Sequence, residues 1–162
     1  MEGTERVRSI IVDDSARFVQ VISRLLVSDG LDVVGAAGDR VQARRLVADV
    51  RPDVALIDLN LGDDNGIELI ADIARTGLAV GTFLILTSTC AIDDLREVFA
   101  VSAADGYLPK MELSGGAVLD ILYGNGKGNG HRPGSNGNGS NGNGSNGNGS
   151  NGNGHGPANG RP

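Results

Sequence analysis

Histidine is absent from the first 123 residues of this 162-residue chain, and this absence excludes several kinds of catalytic site. Both histidines, His131 and His155, come later in the chain. Residues 1–123 therefore cannot form a Ser-His-Asp or Cys-His nucleophilic site, and they lack the imidazole pair of an HExxH zinc site. Chemistry in this segment must rely on carboxylates, hydroxyls and Lys110, which is its one lysine.

Cysteine and long apolar runs are also scarce. The single cysteine, Cys90, excludes an intramolecular disulfide and is typical of a reducing compartment. No segment has the apolar length of a membrane span, and residues 1–12 carry four charges and a short apolar run, unlike a signal peptide. The sequence therefore predicts a cytoplasmic protein that does not contact a membrane.

Composition divides the chain near residue 123. The last 39 residues hold 15 of the 26 glycines, one apolar residue and four tandem Ser-Asn-Gly-Asn-Gly repeats at 135–154. Such a segment cannot bury a core that offsets the entropy of ordering its backbone. We predict a folded domain at 1–123 and a disordered tail at 124–162. The predicted domain holds all 20 acidic residues but only 11 of the 14 basic ones, so we expect no direct DNA binding.

Short aliphatic runs alternate with segments of helical periodicity. The runs lie at 7–12, 31–34, 54–57, 83–86 and 106–108, and their length is typical of strands buried on both faces. Five strand-helix units in series predict an α/β fold with a parallel sheet, helices on both faces and right-handed crossovers. The predicted inner helix faces carry Phe18, Ile22, Leu25 and Leu26; Ala43, Leu46, Val47 and Val50; Ile70, Ile73 and Ala74; Leu95, Val98 and Phe99; Val118, Ile121 and Leu122.

Polar residues follow the aliphatic runs at the points where the strands should end. Asp13 and Asp14 follow the first run, Asp58 the third, Thr87 the fourth and Lys110 the fifth. Because parallel strands end at one sheet edge, where such folds bind ligands, we expect these side chains to meet. Three carboxylates repel one another unless a cation joins them, and carboxylate oxygens suit Mg²⁺. Taken singly, each residue also fits a helix cap or an exposed loop.

Four motifs at these strand ends resemble the receiver domain of two-component response regulators, the CheY-like family. They read IIVDDS at 10–15, LIDLNLGDDNG at 56–66, ILTS at 85–88 and DGYLPK at 105–110, and the resemblance covers 7–123. The last motif is most similar to receivers of the NarL type. The resemblance implies a doubly wound (βα)5 fold of the flavodoxin type with strand order 2-1-3-4-5.

The resemblance also implies phosphorelay signalling. Asp58 would be the phosphoacceptor for a histidine kinase, a phosphotransfer protein or a small phosphodonor. Mg²⁺ would be held by Asp13, Asp14, Asp58 and the backbone carbonyl of Asn60. Lys110 would take up charge on the phosphoryl group. In this interpretation the domain is a signalling protein and not an enzyme.

A conformational switch is implied by the same resemblance. Thr87 would move to bind the phosphoryl group, and Tyr107 would then turn inward and repack the surface formed by the fourth helix, fifth strand and fifth helix. No helix-turn-helix follows residue 123, so the expected output is binding to a downstream protein or a homodimer through that surface. Two departures from the family pattern lie close by: Gly62 replaces a common proline, which should loosen its loop, and Ser88 replaces a small apolar residue.

Two other interpretations stay open. A receiver fold can act without phosphorylation, as a binding or scaffold module that uses its last helix and the tail. A dehalogenase-like phosphatase would also use an aspartyl phosphate, but such enzymes carry a second acid two residues after the nucleophile, where this chain has Asn60. We therefore rank the phosphatase interpretation last.

Overall fold

The computed structural model describes residues 5–90 and 92–124, with no account of the side chains of 92–94. The predicted tail lies outside the described residues except for Gly124. The strands are β1 (Arg8–Val12), β2 (Asp32–Ala37), β3 (Val54–Asp58), β4 (Asn60–Leu61), β5 (Asp64–Asn65), β6 (Phe83–Ser88) and β7 (Gly106–Pro109). The helices are α1 (Ala16–Ser28), α2 (Arg40–Val50), α3 (Gly66–Arg75), α4 (Ile92–Ala100) and α5 (Gly115–Tyr123), with a 3₁₀ turn at Lys110–Glu112.

Five strands form one parallel sheet in the order β2-β1-β3-β6-β7. This confirms the expected order, because β6 and β7 are the fourth and fifth strands of the predicted series. The two additional strands, β4 and β5, form a separate antiparallel hairpin. The central strand β3 is buried along its whole length, as expected for a strand covered on both faces.

Alternate residues of β3 face two different hydrophobic clusters. Ala55 and Ile57 pack with the buried residues of α2 and α3 and with partly buried residues of α4. Val54 and Leu56 pack with α1 and α5. The sheet therefore has three helices on one face and two on the other, which confirms the doubly wound α/β fold. No helix in the described ranges is long and apolar enough to cross a membrane.

Side-chain caps set the starts of the helices. The Ser15 hydroxyl accepts from the Phe18 amide at 3.3 Å and caps α1, so Asp14 is not the cap of this helix. The side chains of Asp39 and Ser114 cap α2 and α5. The start of α5 is also tied to the end of α1, because the Gly115 amide donates to Asp29 Oδ2 at 2.7 Å.

The predicted inner helix faces are correct for most positions and wrong for three. Leu25, Ala74 and Val98 are exposed. On α3 the buried stripe includes Leu69 with Ile70 and Ile73, which rotates the inner face away from Ala74. Apolar spacing predicts a face of the correct period, whereas the neighbouring elements decide its limits.

Candidate functional site

The carboxyl ends of β1, β3 and β6 form one edge of the sheet. Asp58 is the last residue of β3 and stands in register with Thr87 on β6. Asp13 and Asp14 follow β1 directly, on the other side of β3. The predicted strand-end residues therefore meet, as the parallel topology requires.

Three carboxylates converge at this edge. Asp13, Asp14 and Asp58 each offer an oxygen, and these oxygens lie within 4.8 Å of one another. Asp13 and Asp58 are buried, whereas Asp14 is exposed at the mouth of the site. Backbone geometry fixes the first of them, because Asp13 Oδ1 accepts from the Ser15 amide at 2.8 Å.

Lys110 supplies the positive charge of the site. It follows β7, and its Nζ lies 2.6 Å from Asp13 Oδ2 and 3.1 Å from Asp58 Oδ2. Burial alone would lower the pKa of Lys110, but contacts with the two carboxylates more than offset this effect and raise it above its ordinary value. The lysine is therefore charged at neutral pH, and it places one positive charge among three carboxylates.

Asp58 is held in an environment that disfavours its charge. Burial is the largest cause and raises the pKa of Asp58, and the nearby Asp13 carboxylate raises it further. Contact with Lys110 and a hydrogen bond from the Asn60 backbone act in the opposite direction without cancelling the increase. A second cation close to Asp58 would favour its charged form.

The donor set fits a hard divalent cation such as Mg²⁺. All three side chains offer carboxylate oxygens, the ligands that Mg²⁺ prefers. Asp13 Oδ2 is buried, and its neighbour in the ion pair is the Lys110 ammonium at 2.6 Å. A carboxylate oxygen has more than one lone pair, so it can face the ammonium and still bind a metal ion.

The segment after Asp58 is a hairpin that the sequence reading missed. Asn60 pairs with Asn65 and Leu61 with Asp64, so the turn consists of Gly62 and Asp63. Gly62 has φ +59°, and a glycine at the first position of a two-residue turn is typical of type II′. The sequence analysis expects Gly62 to loosen this loop, and that expectation stays a prediction.

Gly66 brings α3 against the backbone of the phosphoacceptor candidate. A Cβ at this position would lie 2.0 Å from the Asp58 carbonyl oxygen and 2.8 Å from its carbonyl carbon. Only glycine allows this approach. The Gly66 amide also donates to the Leu59 carbonyl at 2.8 Å, which holds the start of α3 beneath the site.

Two hydroxyl residues end β6. Thr87 is buried beside Asp58 in the sheet, and its carbonyl accepts from the Leu59 amide at 2.8 Å. Ser88 is fully buried, and its hydroxyl accepts from the Cys90 amide at 3.1 Å. The unusual Ser88 therefore closes the turn after β6.

Tyr107 lies inside the fold. It is 7% exposed, and its hydroxyl donates to the Cys90 carbonyl at 2.5 Å. Its ring lies 6.3 Å from that of Phe99 on α4, measured between ring centres. The side chain that the resemblance names as a switch therefore joins β7, α4 and the turn after β6.

Phe18 is a site residue that the sequence reading placed only in the core. Lys110 Nζ lies 4.3 Å from the centre of the Phe18 ring. Its position on the apolar face of α1 is correct, since it packs against the cluster under α1 and α5. Apolar spacing predicts that an aromatic residue faces inward, but it does not predict which charged group contacts the ring.

Comparisons with known proteins agree with this geometry. The family model described as "Response regulator receiver domain" matches residues 10–115. Among solved structures, the signal receiver domain of the response regulator NarL from Mycobacterium tuberculosis is similar with a TM-score of 0.65 and 30% identity, covering 75% of this chain and 99% of that one. A response regulator from Burkholderia pseudomallei, solved with a phosphorylated aspartic acid and a calcium ion, shares the fold at 24% identity and a TM-score of 0.61, covering 73% of this chain and 66% of that one.

Curated relatives are longer than this chain. The DNA-binding transcriptional activator DevR/DosR of Mycobacterium tuberculosis is 38% identical over 123 residues, which are 73% of this chain and 55% of that protein. A protein-glutamate methylesterase/protein-glutamine glutaminase of Caulobacter vibrioides is 38% identical over 71 residues, 43% of this chain and 21% of that protein. The similarity therefore spans about half of the first protein and about a fifth of the second.

Proposed function

Because this chain belongs to the response regulator receiver family, we propose that it works in two-component signalling by accepting a phosphoryl group on Asp58. The donor is a histidine kinase, a phosphotransfer protein or a small phosphodonor. The observation that carries this proposal is the position of the Asp58 carboxylate, at a strand end between two further carboxylates and the Lys110 ammonium.

The residues of the chain divide the chemistry between them. The Asp58 carboxylate attacks phosphorus, and the bond from phosphorus to the donor breaks as the new acyl phosphate forms. An aspartate is a weak nucleophile, so the rate depends on positioning and on neutralising charge at the phosphoryl oxygens. Lys110, 3.1 Å from Asp58 Oδ2, is placed to exchange a carboxylate contact for a phosphoryl oxygen.

Mg²⁺ would be held by Asp13, Asp14, Asp58 and the backbone carbonyl of Asn60. When bound, it neutralises negative charge on the phosphoryl group and on the three carboxylates. The convergence of three carboxylates on one ammonium supports this assignment, because it leaves more negative than positive charge at the site.

The output in this proposal is a change of protein binding. Phosphorylation adds charge and strong acceptor oxygens next to Thr87, whose hydroxyl then gains a partner. Movement of Thr87 alters the turn that Tyr107 holds, and the surface of α4, β7 and α5 repacks. A downstream protein, or a second copy of the chain, binds this surface. Neither direct DNA binding nor catalytic turnover is part of the proposal, and the protein acts in the cytoplasm.

Tyr107 supports a second candidate function. The resemblance assigns an inward Tyr107 to the activated state, and the unmodified chain already holds this side chain inside. A domain that binds its partner without phosphorylation, as a scaffold that uses α5 and the tail, is consistent with that arrangement. Partner binding that Asp58→Asn and removal of Mg²⁺ leave unchanged would favour this alternative.

The test is phosphoryl labelling of the full chain with acetyl phosphate and Mg²⁺, followed by intact-mass and peptide mass spectrometry. We expect at most one phosphoryl group for each chain, located on Asp58 and absent from Asp58→Asn. Asp63→Asn is a matched control, since Asp63 is an exposed acid in the adjacent turn. Labelling that persists in Asp58→Asn, or no labelling of the unmodified sequence, contradicts the proposal. Many turnovers of a phosphate ester would support the phosphatase interpretation instead.

A further inference from the structure

The Lys110 ammonium has an aromatic neighbour as well as its two carboxylates. Its Nζ lies 4.3 Å from the centre of the Phe18 ring, 2.6 Å from Asp13 Oδ2 and 3.1 Å from Asp58 Oδ2. The ring belongs to the first turn of α1, whereas the lysine follows the end of β7, so the contact joins a helix that begins at the site to a strand that ends there. The lysine side chain is 15% exposed, which leaves little of it open to water.

A ring face and a carboxylate hold an ammonium in different ways. A cation within about 6 Å of a ring centre is attracted to the electrons of the face, and this attraction strengthens where water is excluded. The ring offers no lone pair, so it does not compete with an incoming phosphoryl oxygen for an N–H of the ammonium. A carboxylate in place of the ring would bind the ammonium more strongly, but it would also repel the phosphoryl group.

Lysine needs such a constraint because its side chain is long and flexible. Four rotatable bonds separate the charge from the backbone, and ordering them costs conformational entropy. Asp58 cannot serve as the permanent anchor, because it becomes the phosphorylated group. Asp13 anchors the ammonium from one side only, and it is also proposed to hold the metal ion.

We propose that Phe18 is a positioning residue that holds the Lys110 ammonium at the phosphoacceptor through its ring face. This inference rests on the proposed function, in which Lys110 stabilises the transferred phosphoryl group. Phe18 touches neither the donor nor Asp58 in this proposal. It acts through the lysine, before and after transfer.

The test compares phosphorylation rates of full-length variants with acetyl phosphate at saturating Mg²⁺. Phe18→Leu keeps apolar bulk and removes the ring, and we expect the rate to fall about tenfold, the equivalent of about 1.4 kcal/mol. Phe18→Tyr keeps the ring face, and we expect it to restore the rate to within about twofold of the original chain. Ile22→Val is a matched control for packing, since Ile22 is buried one turn later in the same cluster. Its rate should be unchanged.

A double-mutant cycle separates positioning from general packing. In a Lys110→Met background, Phe18→Leu should slow labelling no further, because the charge that the ring holds is gone. Equal slowing in both backgrounds, no slowing by Phe18→Leu, or no rescue by Phe18→Tyr overturns the inference. Melting curves show whether each variant is folded at the assay temperature. If Phe18→Leu is not folded, the labelling rate of Phe18→Tyr still tests the inference. Failure of the original chain to become labelled contradicts the proposed function itself.

Discussion

Two buried aspartates of this domain, Asp58 and Asp72, have opposite charge environments. Asp58 shares the sheet edge with two carboxylates and a single ammonium. Asp72, on α3, is surrounded by three guanidinium groups, with shortest distances of 3.6 Å to Arg40, 3.2 Å to Arg44 and 2.6 Å to Arg75. One site has too little positive charge for its carboxylates, and the other has more than its carboxylate needs.

The pKa values follow this difference. Burial, reinforced by Asp13, raises the pKa of Asp58. At Asp72, the hydrogen bond from Arg75 is the largest cause, and with the charges of Arg44 and Arg40 it lowers the pKa. An aspartate that is satisfied by arginines from α2 and α3 ties two helices together and has no need of a further cation. An aspartate with unrelieved negative charge is suited to bind one.

The largest expected effect on stability is at Gly66, because α3 begins against Asp58 and also carries Asp72. We expect Gly66→Ala to lower the free energy of unfolding by about 3 kcal/mol, since the new methyl group meets backbone atoms that cannot move aside easily. Urea denaturation measures this loss. Gly116→Ala is the control: its Cβ meets only the Ser114 hydroxyl oxygen, at 3.9 Å, and helix propensity should make it neutral or stabilising. Similar losses for both variants would contradict the prediction.

Removing one cation from each cluster separates chemistry from structure. Lys110→Met should slow phosphoryl acceptance about a hundredfold, the usual effect of removing one group that stabilises a developing charge. Arg44→Met should leave the rate within about twofold, because Arg44 contacts Asp72 and not the strand-end carboxylates. The measurement is the labelling rate at saturating Mg²⁺. A comparable slowing by Arg44→Met would show that the two clusters are coupled.

Mg²⁺ should stabilise the fold through the strand-end carboxylates and not through the Asp72 cluster. A ligand at ten times its dissociation constant stabilises the folded state by about 1.4 kcal/mol. We expect this increase in the original chain and in Asp72→Asn, and its loss in Asp13→Asn. Thermal melting with Mg²⁺ and with EDTA measures it, and Ca²⁺ serves as a second hard cation. An equal increase in Asp13→Asn would show that the ion binds elsewhere.

The smallest expected effects are opposite pH dependences. Asp58 has a raised pKa, so its ionisation weakens the fold as pH rises from the unfolded value of 3.8 through the folded one. Asp58→Asn should therefore stabilise the metal-free domain near neutral pH and leave its stability unchanged at pH 3. Asp72 has a lowered pKa, so its contribution is complete above 3.8 and is lost as pH falls through the folded value.

Denaturation of the metal-free variants at several pH values between 3 and 7 tests both directions. Asp72→Asn should be less stable than the original chain at pH 7, and the gap should narrow on acidification. If Asp58→Asn is the less stable variant at neutral pH, contacts with Lys110 outweigh the cost of burying Asp58. Such a result would contradict the predicted opposition between Asp58 and Asp72.

Much of the fold follows from local patterns in the chain. Short aliphatic runs mark the strands, and apolar spacing marks the helices. The runs also mark where each strand ends, and this predicts the convergence of Asp13, Asp58 and Lys110. The strand order came from the resemblance, because spacing alone does not specify which strands are neighbours. The β4–β5 hairpin escaped prediction because two-residue strands carry no periodicity.

The Asp72 cluster and the contact between Phe18 and Lys110 could not be predicted for another reason. Arg40 and Arg44 lie about 30 residues before Asp72, and on the sequence each is an ordinary charge on an amphipathic helix. The packing of α2 against α3 creates the cluster, just as the meeting of α1 with the end of β7 places Lys110 over Phe18. Contacts between elements distant in sequence leave no local signal.

Cys90 gives the experimenter direct access to this molecule. Its thiol is exposed, while its carbonyl accepts the Tyr107 hydroxyl and its amide donates to Ser88. Because the chain has no other cysteine, a single fluorophore or fluorine label attaches at this position in the natural sequence, without any background substitution. The label would sit where β6, β7 and the turn between β6 and α4 meet. Its spectrum would follow the arrival of a phosphoryl group in real time.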